Sequence, residues 1–455
     1  SVDAVGPVTL AASTLDIANS TSNPGVLITP GSPTRLVFVT MPSSAATAGA
    51  AFAVQPEVRV EDAFGNPVTD DPLLITLALA SGAGALDCDA NPVAAVAGVA
   101  SFSGCRVNTA GTVTLNASAP GIAASTTQPQ VAISVGAASR LVFASTPSAT
   151  ATAGQAFPAQ PAVAVRDAFD NTVTDASTPV TLRLATGSGP LLCDSNPVTP
   201  VGGVASFSGC RVETAGTLSL DASAGAIGNA TTAPQVVVVA DAPSQLEFSP
   251  EPSPTATAGQ PFAVQPQLRV LDMFGNLVTS ATAPVTLALA SGAGTLQCSA
   301  NTVTPVAGIA AFSGCRVDTA GTVTLNASSG AIAAATSVPQ VTVAAGTASR
   351  LVFLAAPSGS SEAGQVWMQQ PVVRIEDALG NPVRAATTPV TLAIVSGSGP
   401  LLCDANPVTP VDGVASFSGC RVDTAGTLRL DASTSDTGGA TSQPTLTIEA
   451  AAPAQ

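Results

Sequence analysis

One unit recurs four times along this chain at a fixed spacing of 105 residues, and that constrains the fold more than any other feature. The Arg-Leu-Val-Phe opening at Arg35 returns at Arg140, reappears as Gln-Leu-Glu-Phe at Gln245 and starts again at Arg350. A second string, Ser-Phe-Ser-Gly-Cys-Arg-Val or nearly so, carries Phe102, Phe207, Phe312 and Phe417 at the same spacing. Such self-similarity predicts a tandem array of one small domain. The repeats are residues 35–139, 140–244, 245–349 and 350–455. Residues 1–34 fit the same pattern, because the run from Val8 to Ser13 aligns with that from Val113 to Ser118. They are expected to be the C-terminal part of a preceding repeat, in a window cut from a longer polypeptide.

Within a copy, short alternating runs are separated by turn residues about every ten positions, the pattern of antiparallel strands in a sandwich or barrel. In the second copy the runs begin at Arg140, Ala162, Val180, Pro190, Gly203, Gly216 and Gln235, which predicts about seven strands. Val180, Leu182 and Leu184 share one face while Thr181 and Arg183 share the other, as in a half-buried strand. The turns at Asp62–Asn66, Asp167–Asn171, Asp272–Asn276 and Asp377–Asn381 place Gly-Asn or Asp-Asn where positive φ is tolerated. Gln-Pro pairs at Gln55, Gln160, Gln265 and Gln370 stand just before a strand, where a missing backbone donor does least harm. All 14 Phe fall into four columns, headed by Phe38, Phe52, Phe64 and Phe102. Two vacancies are filled by Trp367 and Leu379. All four columns are expected in the core.

The eight cysteines fall as Cys88 and Cys105, Cys193 and Cys210, Cys298 and Cys315, and Cys403 and Cys420, every pair 17 apart. Two per repeat at one spacing predicts one disulfide per domain and an oxidising compartment. Zinc would call for CxxC or Cys/His spacing, and the chain has no His.

Other functions lack parts. With no His, no Lys and no Tyr, the usual nucleophile–base pairs cannot be built, so the chain is expected not to be an enzyme. The recurring Asp62, Asp167, Asp272 and Asp377 are read as turn residues bonded to nearby backbone. Calcium needs six to eight oxygen ligands. The first repeat offers Asp62, Asp70 and Asp71, but the third offers Asp272 with Ser280, so no shared ligand set emerges and no metal or cofactor is expected. A net charge of -15 without clustered cations argues against nucleic acid. No apolar run reaches the length of a membrane span. Sequons at Asn19, Asn116, Asn229 and Asn326 leave glycosylation open.

The succession of TAGQAF, QPAVAVRDAFDNTVT, PVTLRLATGSG, GVASF and TAGTLSLDAS in the second copy resembles the bacterial immunoglobulin-like (Big-1-like) repeats of invasin- and intimin-type surface proteins, over nearly the whole chain. The cysteine pair is a departure from those repeats. The resemblance implies an all-β tandem array of immunoglobulin-like β-sandwich domains, extracellular or at the cell surface, that holds an adhesive tip away from the cell. Joints of a few residues imply end-to-end domains in a rod. The function expected is a stalk or spacer of an adhesin-like protein. The alternative is a subunit of a self-assembling extracellular filament, sheath or surface layer, in which residues 1–34 or exposed strand edges pair with another chain.

Overall fold

The computed structural model describes residues 2–15, 17–21, 25–125, 128–231, 235–330, 332–336, 340–357, 359–435, 437, 440–441 and 445–451. Among these residues there is no helix. The chain forms two compact units, Ser1–Val238 and Val239–Gln455.

In the first unit, repeat 1 is a two-sheet sandwich. Glu57–Glu61 lies between Arg35–Thr40 and Val99–Ser101, all antiparallel. The facing sheet runs Val93–Ala94, Leu74–Ser81, Gly111–Ser118, Gln130–Ser134 and Ala45–Thr47, with the last pair parallel. The N-terminal stretch is therefore divided between the sheets, as in an immunoglobulin-like sandwich. Alternation decides which side of each strand is inward. Ile75 and Leu77 are buried while Leu74, Thr76 and Ala78 face out. They meet Leu36, Phe38, Val58 and Val60 from the other sheet, with Val113, Leu115, Val131 and Ile133 completing the core. Each fully buried Leu or Ile stabilises the fold by about 1.5–3 kcal/mol.

Repeat 2 follows the same plan, with Ala162–Arg166 between Arg140–Ser145 and Val204–Ser206. It adds a strand, Ile227–Thr231, which is antiparallel to Gly216–Ala224 and reaches the opening strand at Arg140↔Gly228, so it closes one seam between the sheets. Residues 1–34 contribute two ladders: Gly6–Val8 with Val26–Ile28, and Ala11–Thr14 with Ile17–Thr21. In the second unit, repeat 3 has the seam strand at Ile332–Thr336, joined at Gln245↔Ala333. Repeat 4 keeps both sheets, with Ser360–Glu362 parallel to Leu446–Glu449.

The seven runs expected for the second copy become ten strands. Thr150–Thr152 and Ile227–Thr231 appear in stretches without apolar alternation. The run from Gly203 splits into Val204–Ser206 and Arg211–Val212, because Gly209 at φ +60 turns the chain between them.

Candidate functional site at the turns between repeats

The most elaborate polar chemistry lies where one repeat meets the next. In Asp167–Asn171 the buried carboxylate of Asp167 accepts four hydrogen bonds. Its Oδ1 takes the backbone N–H groups of Phe169 and Asn171, both at 2.9 Å. Its Oδ2 takes the Asn171 amide at 2.8 Å and the N–H of Gly136, in the linker, at 2.9 Å. The Asn171 side chain then reaches into repeat 1, donating to Asn108 O and accepting from Ala110 N, both at 2.8 Å. A single Asp-Asn pair thus fixes its own turn, the linker and the neighbouring repeat.

The second unit repeats the arrangement. Asp377 accepts from Leu379 N, Asn381 N, Asn381 Nδ2 and Gly346 N. Asn381 donates to Asp318 O at 2.9 Å and accepts from Ala320 N at 2.8 Å. Asp272 is served by Phe274, by Asn276 and by the linker N–H of Asp241. Asp62 is served by Phe64, Asn66 and Gly31, and Asn66 donates to Asp3 O at 2.7 Å.

Burial by itself would raise the Asp62 carboxyl, but the hydrogen bonds from the Asn66 side chain and from the Asn66, Gly31 and Phe64 N–H groups outweigh it and hold it at about 2. The same opposition lowers Asp167, Asp272 and Asp377. Buried carboxylates held ionised by such donors bind backbone and are poorly suited to proton transfer.

The Phe64 column corrects the expectation that every Phe is a core residue. Phe64 is 68% exposed, Phe169 44% and Leu379 51%. These side chains sit at the turn tips, and two of them contact the preceding repeat: a Cβ added to Gly49 would lie 2.0 Å from the Phe169 ring, and one added to Gly259 2.8 Å from Leu379 Cδ1. Gly49 and Gly259 have φ of +79° and +77°, so glycine there supplies both the backbone and the clearance. Two other columns are core throughout, Phe52, Phe157, Phe262 and Trp367, and Phe102, Phe207, Phe312 and Phe417, while in the remaining column Phe38 is buried and Phe143, Phe248 and Phe353 are half-buried.

Charges beside the turn vary from repeat to repeat. In repeat 1 the buried Glu61 lies between Arg35 and Arg59, with the Nε atoms of both donating at 2.8 Å. Repeat 4 places Glu376 likewise between Arg350 and Arg374. Repeat 2 has Arg166 in that column and Asp170 where Gly65 stands in repeat 1. Asp170, at φ +73°, pairs with Arg140 at 2.8 Å, so the acid has moved to the turn tip.

Each cysteine pair is joined: Cys88–Cys105, Cys193–Cys210, Cys298–Cys315 and Cys403–Cys420. The second member is fully buried in every repeat. Sequence reasoning missed what holds it. Gln55 donates to Phe52 O at 2.6 Å and accepts from Cys105 N at 2.9 Å. Gln160, Gln265 and Gln370 do the same for Cys210, Cys315 and Cys420. The regular Gln before each Pro was the available signal.

Among the described residues no group of three or more His, Cys, Asp or Glu assembles as a metal cluster, and no helix is long and apolar enough to cross a membrane. Asp70 and Asp71 lie outside the Asp62 turn network; Asp70 accepts from Thr69 Oγ1 at 2.6 Å. Asn116, Asn229 and Asn326 lie on strands, while the side chain of Asn19 falls outside the described residues. A cleft of about 380 Å³ at the joint of repeats 3 and 4 is lined by Ala320, Gly321, Val343, Pro382, Val383 and Arg384, with no carboxylate.

No family model matches the chain, and no curated protein is similar to it. Solved structures similar in backbone include FdeC, an adhesin of Escherichia coli, at 18% identity over 70% of this chain and 98% of that one, TM-score 0.31. Invasin, a bacterial integrin-binding protein, is 14% identical over 91% of this chain and 79% of its own, TM-score 0.33. Domains 1–6 of the surface layer protein SbsC are 16% identical over 95% and 55%, TM-score 0.25. What each of those proteins binds is a property of that protein.

Proposed function

We propose that the chain is a non-enzymatic structural repeat region of an extracellular bacterial protein, acting as a stalk or spacer of an adhesin-like surface protein. The domains of this reading are residues 35–139, 140–244, 245–349 and 350–455, with 1–34 the C-terminal part of a preceding one. The observation that carries it is the turn between repeats. Asn171 and Asn381 bond to the backbone of the repeat before them, and Asp167 and Asp377 hold the linker, so these joints have little slack. A spacer needs this property, whereas an enzyme needs a cleft with free acid and base. One disulfide per repeat supports an oxidising, extracellular setting. It also limits how far each domain extends under load. No cofactor is called for, and no receptor is named.

Small-angle scattering on the full chain tests the reading. A spacer gives an elongated particle whose longest dimension falls by one domain length, roughly 30–40 Å for ten-residue strands, when residues 140–244 are deleted. A compact particle, or a dimension unchanged by the deletion, would refute it. The second reading, a subunit of a self-assembling filament, sheath or surface layer, is supported by the strand Arg35–Thr40 of repeat 1, which among the described residues ends its sheet.

A further inference from the structure

The four disulfide loops share one backbone plan and differ in charge. The residue after the first cysteine of each pair, Asp89, Asp194, Ser299 or Asp404, is exposed and donates its N–H to the carbonyl of Ser103, Ser208, Ser313 or Ser418 at 2.8–3.0 Å. Its side chain lies over the glycine that precedes the second cysteine, Gly104, Gly209, Gly314 or Gly419, where a Cβ would collide with it. In repeats 1, 2 and 4 a carboxylate therefore sits beside both cysteines. In repeat 3 the neutral hydroxyl of Ser299 takes its place.

Neighbouring charges do not compensate for the difference. Asp87 and Asp89 stand against Arg106 in repeat 1, Asp194 and Glu213 against Arg211 in repeat 2, and Asp404 and Asp423 against Arg421 in repeat 4, so acid is in excess each time. Repeat 3 balances Arg316 with Asp318, and in the column of Asp87 it has Gln297, which accepts from Arg316 at 2.6 Å.

A second difference lies in the same loop. Asn91, Asn196 and Asn406, three residues after the first cysteine, each bond through their side chains to both backbone groups of a strand residue, Leu77, Leu182 or Leu392, at 2.7–2.9 Å. Asn301 turns its side chain inward, accepting from Cys298 N at 3.0 Å and donating to Leu296 O at 3.1 Å, and so does not tie the loop to the sheet in that way.

The first cysteine of every pair is half-buried and the second fully buried, so an incoming nucleophile meets the first. That nucleophile is a thiolate, and the Asp that follows Cys88, Cys193 and Cys403 repels it. We propose that Cys298 is the thiol-exchange site of the chain, the sulfur that low-molecular-weight thiols modify ahead of the other three. With a dithiol, one thiolate forms a bond to Cys298 Sγ as the Cys298–Cys315 bond breaks, and the electron pair leaves on Cys315 Sγ, which takes a proton from water. The second thiolate of the reagent then closes on the mixed disulfide and releases Cys298, which is protonated in turn. The reagent departs as a cyclic disulfide, oxidised by two electrons, and the cysteine pair is reduced by two. Repeat 3 is thereby the first to lose its staple. This goes beyond the stalk reading and does not depend on it, since exchange at one loop is the same in a spacer or a filament.

Brief exposure of the full chain to dithiothreitol, stopped by alkylation and mapped by mass spectrometry, tests the proposal. In salt of about 10 mM, where charges act over about 30 Å, Cys298 and Cys315 should become alkylated about fivefold or more faster than the other three pairs, the factor that one unit charge near 4 Å represents in water. Ser299→Asp should slow repeat 3 about fivefold and Asp194→Ser should speed repeat 2 by a similar factor, with both effects shrinking below about twofold in 1 M salt, where the range falls to about 3 Å. Both substitutions copy residues that the other repeats already carry at this position, so the loops remain folded. Equal rates at all four pairs, no slowing by Ser299→Asp, or substitution effects of the same size at both salt concentrations would overturn the proposal.

Discussion

Replacing Asn381 by Ala tests the joint most locally. Its side chain makes three hydrogen bonds, to Ala320 N, Asp318 O and Asp377 Oδ2, at 2.8–2.9 Å, and the residue is buried. Each bond contributes about 1 kcal/mol net, and more where a buried partner is left unpaired, so Asn381→Ala should cost about 3–5 kcal/mol. Two of the three bonds cross from repeat 4 to repeat 3, which assigns about 2–3 kcal/mol to coupling between them. The backbone bond from Asn381 N to Asp377 Oδ1 does not depend on the side chain and should keep the turn folded. Native-state hydrogen exchange reads the result. The Ala320 amide should exchange about 30- to 150-fold faster, the factor that 2–3 kcal/mol represents, while the Val323 amide in the adjoining strand keeps its protection. The reasoning fails if Ala320 speeds up less than a few-fold, or if Val323 speeds up equally, since that would be general destabilisation without a local joint.

Two further perturbations follow from the same geometry. Because the folded carboxyls of Asp62, Asp167, Asp272 and Asp377 lie below their unfolded value of 3.8, their stabilisation is fully present above that pH. It is lost as pH falls, toward about 2 for Asp62, so urea midpoints should be level near neutrality and drop in that acid window; midpoints unchanged down to pH 2 would contradict it. Trp367 occupies a slot that holds Phe in the other three repeats, and among the described residues its buried Nε1 has no hydrogen-bond partner. Trp367→Phe should relieve an unmade bond of about 1–3 kcal/mol against a similar loss of packing, leaving the denaturation midpoint of repeat 4 within about 1 kcal/mol of wild type; a loss of several kcal/mol would show that the indole is needed.

The parts of the fold that announce themselves in sequence are those where local chemistry and tertiary demand coincide. Val180, Leu182 and Leu184 alternate because one face of the strand is core, and the sandwich class follows from many such runs. Asp167 was recognisable as a turn residue because an Asx side chain can bond backbone two and four residues on. Its long-range partner Gly136 carries no local mark. Neither does the reach of Asn171 into repeat 1, which depends on how two domains abut. Phe169 and Leu379 misled for a related reason: a column kept apolar by contact with the preceding repeat looks the same as one kept apolar by its own core. The seam strand Ile227–Thr231 was hidden by its content, Ile-Gly-Asn-Ala-Thr, which has neither alternation nor strong β-propensity and is ordered by two neighbours at once. Gln160 was read only through the proline that follows it, although its amide is what satisfies the backbone of Cys210.

The central claim is that each 105-residue repeat is a separate mechanical domain with a disulfide that shields part of its length. Pulling single molecules of the full chain addresses it directly. Four unfolding events of equal length are predicted under oxidising conditions, and with reductant each should lengthen by the 17-residue span between its cysteines, about 60 Å at full extension. Fewer than four events, or lengths that reductant leaves unchanged, would contradict the account.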